Sequence, residues 1–256
     1  MEENARFIVA IPARYGSTRL PGKPLLPIAG KPMVVHVVRR AQAAGAAETF
    51  VATDDARIAD ALRGTDVRVA MTRDTHASGS DRLAECAEQF GWADDAIVVN
   101  LQGDEPLAPV SGIRAVAEAV AASGAEMATL ATPIGDAAEL LNPNCVKVVL
   151  AADGSALYFS RAPVPWPRDA FATARSLLPG GVPFLRHIGI YAYRAGFLRR
   201  FSRLAPTPLE SAESLEQLRA LEHGHRIAVR IAPEPFPAGV DTAEDLARVE
   251  ALLSGK

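Results

Sequence analysis

Cysteine is scarce. The 256 residues hold two, Cys86 and Cys145, far apart and in no metal-ligand spacing. That excludes a disulfide framework and a cysteine-held metal, and both read as reduced core residues. Long apolar runs are absent too: none approaches the roughly 20 residues of a spanning helix. The N-terminus lacks the apolar segment and small-residue cleavage site of a signal peptide, so the expectation is a soluble cytoplasmic protein with no membrane partner. A basic excess is missing, with 27 Lys and Arg against 30 Asp and Glu and a net charge of −3, which argues against a nucleic-acid partner. No internal repeat or low-complexity tract is evident. What remains is a chain 49% hydrophobic and 22% charged, long enough for one α/β domain with a sizeable core.

The chain is organised around residues 11–25, IPARYGSTRLPGKPL. A short apolar, partly β-branched run, Phe7 to Ile11, precedes it and reads as a buried strand; Met33 to Ala41 follows and is long enough for a helix. In open α/β sheets ligands bind beyond the carboxyl end of such a strand. Arg14, Arg19 and Lys23 fall in this loop. Gly16 and Gly22 allow close backbone approach to a ligand, and Pro12, Pro21 and Pro24 stiffen it. Cations with exposed N–H groups suit a polyanion such as a triphosphate, although the loop matches neither standard phosphate-binding glycine motif. The plainer reading is a solvated basic loop.

Further strands are expected at 49–53, 66–71, 96–101, 127–132, 146–150, 186–193 and 227–231. Helices are expected at 55–63, 83–90, 110–123 and 209–223. Strands alternating with helices predict a mostly parallel sheet. Ser78 and Asp81 fit a capping box; Ser78, Gly79, Ser80 and Arg82 equally fit a loop around base and ribose, and both readings stand. His76 reads as a loop residue without a metal partner. Asp104 follows the most strand-like stretch, with Gly103 before it, which suits Mg²⁺; a turn is the plainer alternative, and Glu105 faces an undetermined direction. Residues 162–186 read as a proline-rich excursion with Trp166, Phe171 and Phe184, either a subunit contact or a mobile loop. Alternation puts His187, Gly189, Tyr191 and Tyr193 on one strand face, suited to a hydroxylated ligand or to a satisfied polar layer. Glu213, Glu216 and Gln217 read as a solvated helix face. Asp241 or Thr242 is a helix N-cap, and Asp241 is alternatively a second Mg²⁺ carboxylate paired with Asp104.

Together these segments resemble the 3-deoxy-manno-octulosonate (Kdo) cytidylyltransferases. Residues 11–25 carry the likeness, with 78–85 (SGSDRLAE), 100–106 (NLQGDEP), 142–144, 157–161 (LYFSR), 186–191 (RHIGIY), 213–218 (ESLEQL) and 239–242 (GVDT). Ser80-Asp81 stands where the likeness would place Thr-Glu. The resemblance implies a nucleotidyltransferase-like α/β fold over residues 1–256, its mostly parallel central sheet flanked by helices. It also implies a 155–205 sub-region forming a homodimer contact and part of the sugar site. The activity implied is transfer of CMP from CTP to Kdo with release of pyrophosphate and with Mg²⁺, for lipopolysaccharide assembly. On that reading Arg14, Lys23, Asp104 and Asp241 are catalytic, with the two aspartates holding the metal. Pro12, Ala13, Arg14, Arg19, Lys23, Ser78, Gly79, Ser80 and Arg82 hold the nucleotide. Gln102, Arg161, His187, Tyr191, Glu216 and Gln217 contact the sugar acid. Alternatives are a cytidylyltransferase for a sialic acid or an 8-amino Kdo analogue, and a non-catalytic nucleotide-binding module. The 186–191 and 213–217 motifs argue against the sialic acid enzyme.

Overall fold

The computed structural model describes residues 5–16 and 20–255, so Arg19 lies outside the described residues. Among these residues nine strands form the principal sheet. They are β1 (Phe7–Pro12), β2 (Glu48–Thr53), β3 (Arg68–Met71), β4 (Ile97–Asn100), β5 (Met127–Pro133), β6 (Lys147–Leu150), β7 (Ala156–Ser160), β8 (Leu185–Arg194) and β9 (Ile227–Ile231). The main path runs β9-β5-β8-β4-β1-β2-β3. β1 pairs parallel with β2 and β4, β2 with β3, and β9 with β5. β8 is antiparallel to both β4 and β5, so on this path it alone is reversed. The mostly parallel sheet expected from alternating strands and helices is therefore present. β6 and β7 pair antiparallel beside β8.

The helices are α1 (Met33–Ala43), α2 (Ala56–Ala61), α3 (Gly79–Gln89), α4 (Val110–Ser123), α5 (Ala137–Leu141), α6 (Arg168–Thr173), α7 (Ala195–Phe201), α8 (Pro208–Glu213), α9 (Gln217–Glu222) and α10 (Ala243–Leu253). The central strands are apolar on both faces because both are covered. Val9, Ile11 and Val99 pack in one layer with α1 and α4; Ala10 and Val98 pack in the other with α3 and α7. Val9, Ile11, Val98 and Val99 have no exposed surface. Burial of such a side chain is worth about 1.5–3 kcal/mol. These central strands are accordingly the rigid floor from which the ligand loops project.

Two expectations need correction. Residues 79–82 are the first turn of α3, not loop: Ser78 Oγ accepts from Asp81 N at 3.1 Å and Asp81 Oδ2 accepts from Ser78 N at 3.2 Å. The single helix expected over 209–223 is two, α8 and α9, broken at Ser214 in the left-handed conformation (φ 52°). Helical periodicity runs through the break, but bonds from β7 fix it: Glu213 accepts from Ser160 Oγ at 2.6 Å and Arg161 N at 2.8 Å, while Arg161 Nε donates to Glu213 O at 2.6 Å. In the excursion, Phe171 and Phe184 are buried with Ile134, Leu140 and Cys145 in a small separate cluster. That packing favours the ordered reading of residues 162–186 over the mobile one.

Candidate active site

The loop after β1 turns back on itself through Gly22 (φ 67°), whose absent Cβ would meet the Tyr15 ring at 3.1 Å. A 3₁₀ turn, Lys23–Leu25, follows at once and aims Lys23 across the carboxyl ends of β1 and β4. Its Nζ donates to Asp104 Oδ2 at 2.6 Å, Val240 O at 3.0 Å and Asp241 Oδ1 at 3.1 Å. The two aspartates meet because the 239–240 backbone lies on Asp104: Val240 N donates to Asp104 O at 2.8 Å, and a Cβ on Gly239 would stand 3.1 Å from that oxygen. Gly103 is required for a similar reason, since a Cβ there would be 2.8 Å from Pro12 O. Burial alone would lower the Lys23 pKa, but its bonds to Asp104 and then Asp241 outweigh that and raise it. Lys23 is thus a fixed cation between two acids.

Asp241 is not the cap of α10. Thr242 is, accepting from Asp245 N at 3.2 Å, which leaves the Asp241 carboxylate for Lys23. Asp104 and Asp241 keep 31% and 48% side-chain exposure and face a cleft that Arg14 also lines. Two hard carboxylates facing a cleft that Arg14 and Lys23 also line fit Mg²⁺, which takes one or two carboxylates and draws its other ligands from phosphates and water. Among the described residues no group of three or more His, Cys, Asp or Glu forms a closed metal site. Glu105 is no candidate: its Oε2 is buried without a hydrogen-bond partner, and burial, then the Asp104 charge, push its pKa up to about 8.

The same cleft is lined by Pro12, Ala13, Ser78, Gly79, Arg82 and Gln102, so most of the expected nucleotide residues converge. Ser78 caps α3 and, with Gly79, also lines the cleft. Arg82 is buried, its guanidinium donating to Asp54 Oδ2 at 2.7 Å and Thr72 Oγ1 at 2.5 Å. Its first task is to brace the wall. His76 also lines the cleft and contacts Glu85.

Ser80 turns away from the cleft and donates to Glu216 Oε2 at 3.3 Å. Gln102 Nε2 donates to Asn100 Oδ1 at 3.2 Å, and Asn100 pairs with Tyr191 in the β4–β8 ladder. These links join the cleft to a polar strip on β8, where the His187 and Tyr191 rings lie 5.4 Å apart and those of Tyr191 and Tyr193 6.0 Å apart. The helix break brings Glu216 to this strip, where its charge acts on Tyr191 and Tyr193, and buries Gln217 next to it in sequence, so the solvated face expected for them is absent. Glu216 Oε1 and Gln217 Nε2 are buried without a hydrogen-bond partner, and burial raises the Glu216 pKa. Unmet buried polar atoms cost about 1–3 kcal/mol each, and a hydroxylated ligand would satisfy them. Burial holds the His187 pKa down to about 3, leaving it neutral. Arg161 is committed to backbone, donating to Glu213 O, to Pro143 O at 3.1 Å and to Ser214 O at 3.5 Å. In this arrangement it holds the helix break rather than lining the cleft. Sequence reasoning passed over Asn100; its signal was a single polar residue ending a wholly apolar strand.

Comparison with known proteins identifies the family. Residues 8–227 match the model of the family described as cytidylyltransferase. The chain is 62% identical over 248 residues to the 3-deoxy-manno-octulosonate cytidylyltransferase of Stenotrophomonas maltophilia (strain K279a), covering 96% of each chain. It is 61% identical over 254 residues to the enzyme of the same name from Xanthomonas campestris pv. campestris (strain B100), covering 99% of this chain and 90% of that one. A solved structure of CMP:2-keto-3-deoxy-manno-octonic acid synthetase complexed with CTP superposes with a TM-score of 0.87 at 43% identity, over 98% of this chain and 99% of the other. The chain belongs to the cytidylyltransferase family, and within it to the 3-deoxy-manno-octulosonate cytidylyltransferases.

Proposed function

We propose that the protein transfers CMP from CTP to the anomeric hydroxyl of Kdo, giving CMP-Kdo and pyrophosphate for lipopolysaccharide assembly in the cytoplasm. The observation that carries this reading is the Lys23 ammonium held against Asp104 and Asp241 at one end of a cleft lined by Arg14 and the α3 N-terminus. The sugar oxygen bonds to the α-phosphorus, the bond to the bridging oxygen breaks, pyrophosphate leaves, and the hydroxyl proton passes to water. Negative charge grows on the phosphate oxygens and the leaving group, so the protein's work is positioning and positive charge. Arg14 and Lys23 supply that charge. Asp104 and Asp241 would hold Mg²⁺, which supplies further positive charge at the triphosphate when bound. Gln102, His187, Tyr191, Glu216 and Gln217 form a neutral-to-acidic strip for the sugar hydroxyls, and the unpartnered atoms of Glu216 and Gln217 support that assignment. The relatives named above carry the same activity in their names, which supports the substrate pair. Exposed Leu157 on β7, with Trp166 and Leu177 on the excursion, supports a homodimer.

The test is pyrophosphate release from CTP on addition of Kdo, with and without Mg²⁺, and with a panel of sugar acids and all four nucleoside triphosphates. Turnover is expected only with CTP, Kdo and Mg²⁺ together. Asp104→Asn and Asp241→Asn should each lower kcat by about 10²-fold or more, the usual effect of losing one group that stabilises developing charge. Near-wild-type turnover in both variants would rule out the two-carboxylate metal site.

A further inference from the structure

β8 departs from regular pairing with β5 at one place. Ile188 stands opposite Leu130 and Tyr191 opposite Thr129, so Gly189 and Ile190 have no opposing residues. An insertion of two residues preserves the alternation of faces. His187 and Tyr191 therefore stay on the polar side while Ile188 and Ile190 enter the core. The side chain of Thr129, which has no exposed surface, sits at this irregularity. Its Oγ1 lies 2.9 Å from Ile188 O, 2.8 Å from Ile190 O and 3.0 Å from His187 Nε2.

A hydroxyl has one proton and two lone pairs, and a backbone carbonyl only accepts. The Thr129 proton therefore goes to the two carbonyls, and Oγ1 has only lone pairs left for the imidazole. His187 Nε2 must carry the hydrogen. In a neutral ring the other nitrogen is then an acceptor, and burial among Phe159 and Tyr191 keeps the ring neutral. The bond to Thr129 is the only hydrogen bond of that ring among the described residues.

We propose that Thr129 is a positioning residue of the sugar subsite: its hydroxyl locks His187 as the Nε2–H tautomer, so that Nδ1 accepts a hydrogen bond from a hydroxyl of the sugar acid. This rests on the reading above that His187 faces Kdo. Nothing in the 127–132 strand marks Thr129 as functional until the irregularity in β8 is seen.

The experiment compares Thr129→Val, which keeps the shape and removes the hydroxyl, with Thr129→Ser, which keeps the hydroxyl. Thr129→Val should raise KM for Kdo about tenfold, the worth of one hydrogen bond, with KM for CTP changed less than about twofold. Thr129→Ser should stay within about threefold of wild type. An unchanged KM for Kdo in the valine variant, or equal losses in both, would overturn the proposal. Long-range ¹H–¹⁵N correlation spectra of the wild-type imidazoles read the tautomer directly, whether or not the valine variant folds. A protonated Nδ1 on His187 would overturn the proposal, and a protonated Nε2 supports it. Absence of Kdo-dependent turnover in the wild type would overturn the functional reading and the sugar's part in the proposal, with the tautomer still decided by the spectra.

Discussion

Asp104 and Glu105 are neighbours with the same chemistry and opposite surroundings. Asp104 is met by Lys23 at 2.6 Å and stays partly exposed to the cleft. Glu105 has a buried, unpartnered Oε2 beside that charge, and its pKa rises to about 8. An unfolded glutamate titrates near 4.3. Between those values the folded protein holds a proton that the unfolded chain has released, so stability falls as pH climbs from about 4.3 to about 8. The slope is at most about 1.4 kcal/mol per pH unit. Glu105→Gln removes it. The variant should come nearest to wild type at or below about pH 4 and exceed it progressively up to pH 8 in urea denaturation; a stability difference independent of pH would contradict the assignment. The sequence carried Asp104 because a carboxylate at the carboxyl end of a central strand, at the edge where the basic loop emerges, is placed to meet a ligand. It left Glu105 undirected because the direction depends on how the 239–240 backbone closes over residue 104.

At the scale of elements, the informative feature is a helix that stops and restarts. Residues 209–223 have the composition of one helix, and nothing local to them requires a break. The requirement comes from β7, some 50 residues earlier, where Ser160 and Arg161 hold Glu213. Arg161 also draws the carbonyls of Glu213 and Ser214 toward itself. That is why Lys23, Asp104 and Asp241 were legible from strand ends and loop glycines, while the inward turn of Glu216 was not. A left-handed backbone costs a non-glycine residue about 1–2 kcal/mol. Ser214→Gly should therefore be neutral or stabilising by up to about 1 kcal/mol. Ser214→Val, β-branched at a positive φ, should destabilise by about 1–2 kcal/mol or more. Because the break delivers Glu216 to the strip on β8, the valine variant should also raise KM for Kdo more than KM for CTP. Equal tolerance of glycine and valine by denaturation would show that the break is not held at Ser214.

The molecule as a whole divides its surface unevenly. The sheet core is covered on both faces, yet the stretch from α5 through the excursion leaves large apolar side chains in water: Leu141 at 45%, Leu157 at 62%, Trp166 at 46% and Leu177 at 76% exposure. Beneath them the excursion has its own small core, with Phe171 and Phe184 stacked 6.2 Å apart. An ordered segment with a buried interior and an apolar exterior is built to be covered, since soluble monomers seldom leave large apolar patches exposed. A stable homodimer interface needs roughly 1,200–2,000 Å² in total. We therefore expect a dimer at micromolar concentration in light scattering. A carboxylate placed in the contact must lose its water without gaining a partner, at a cost of several kcal/mol. Leu157→Asp combined with Leu177→Asp should accordingly shift the protein to monomer while circular dichroism stays unchanged, because neither side chain belongs to the packed interior. A wild-type monomer would overturn the dimer itself, and a dimer indifferent to both aspartates would place its contact elsewhere and leave these side chains without a partner of their own kind.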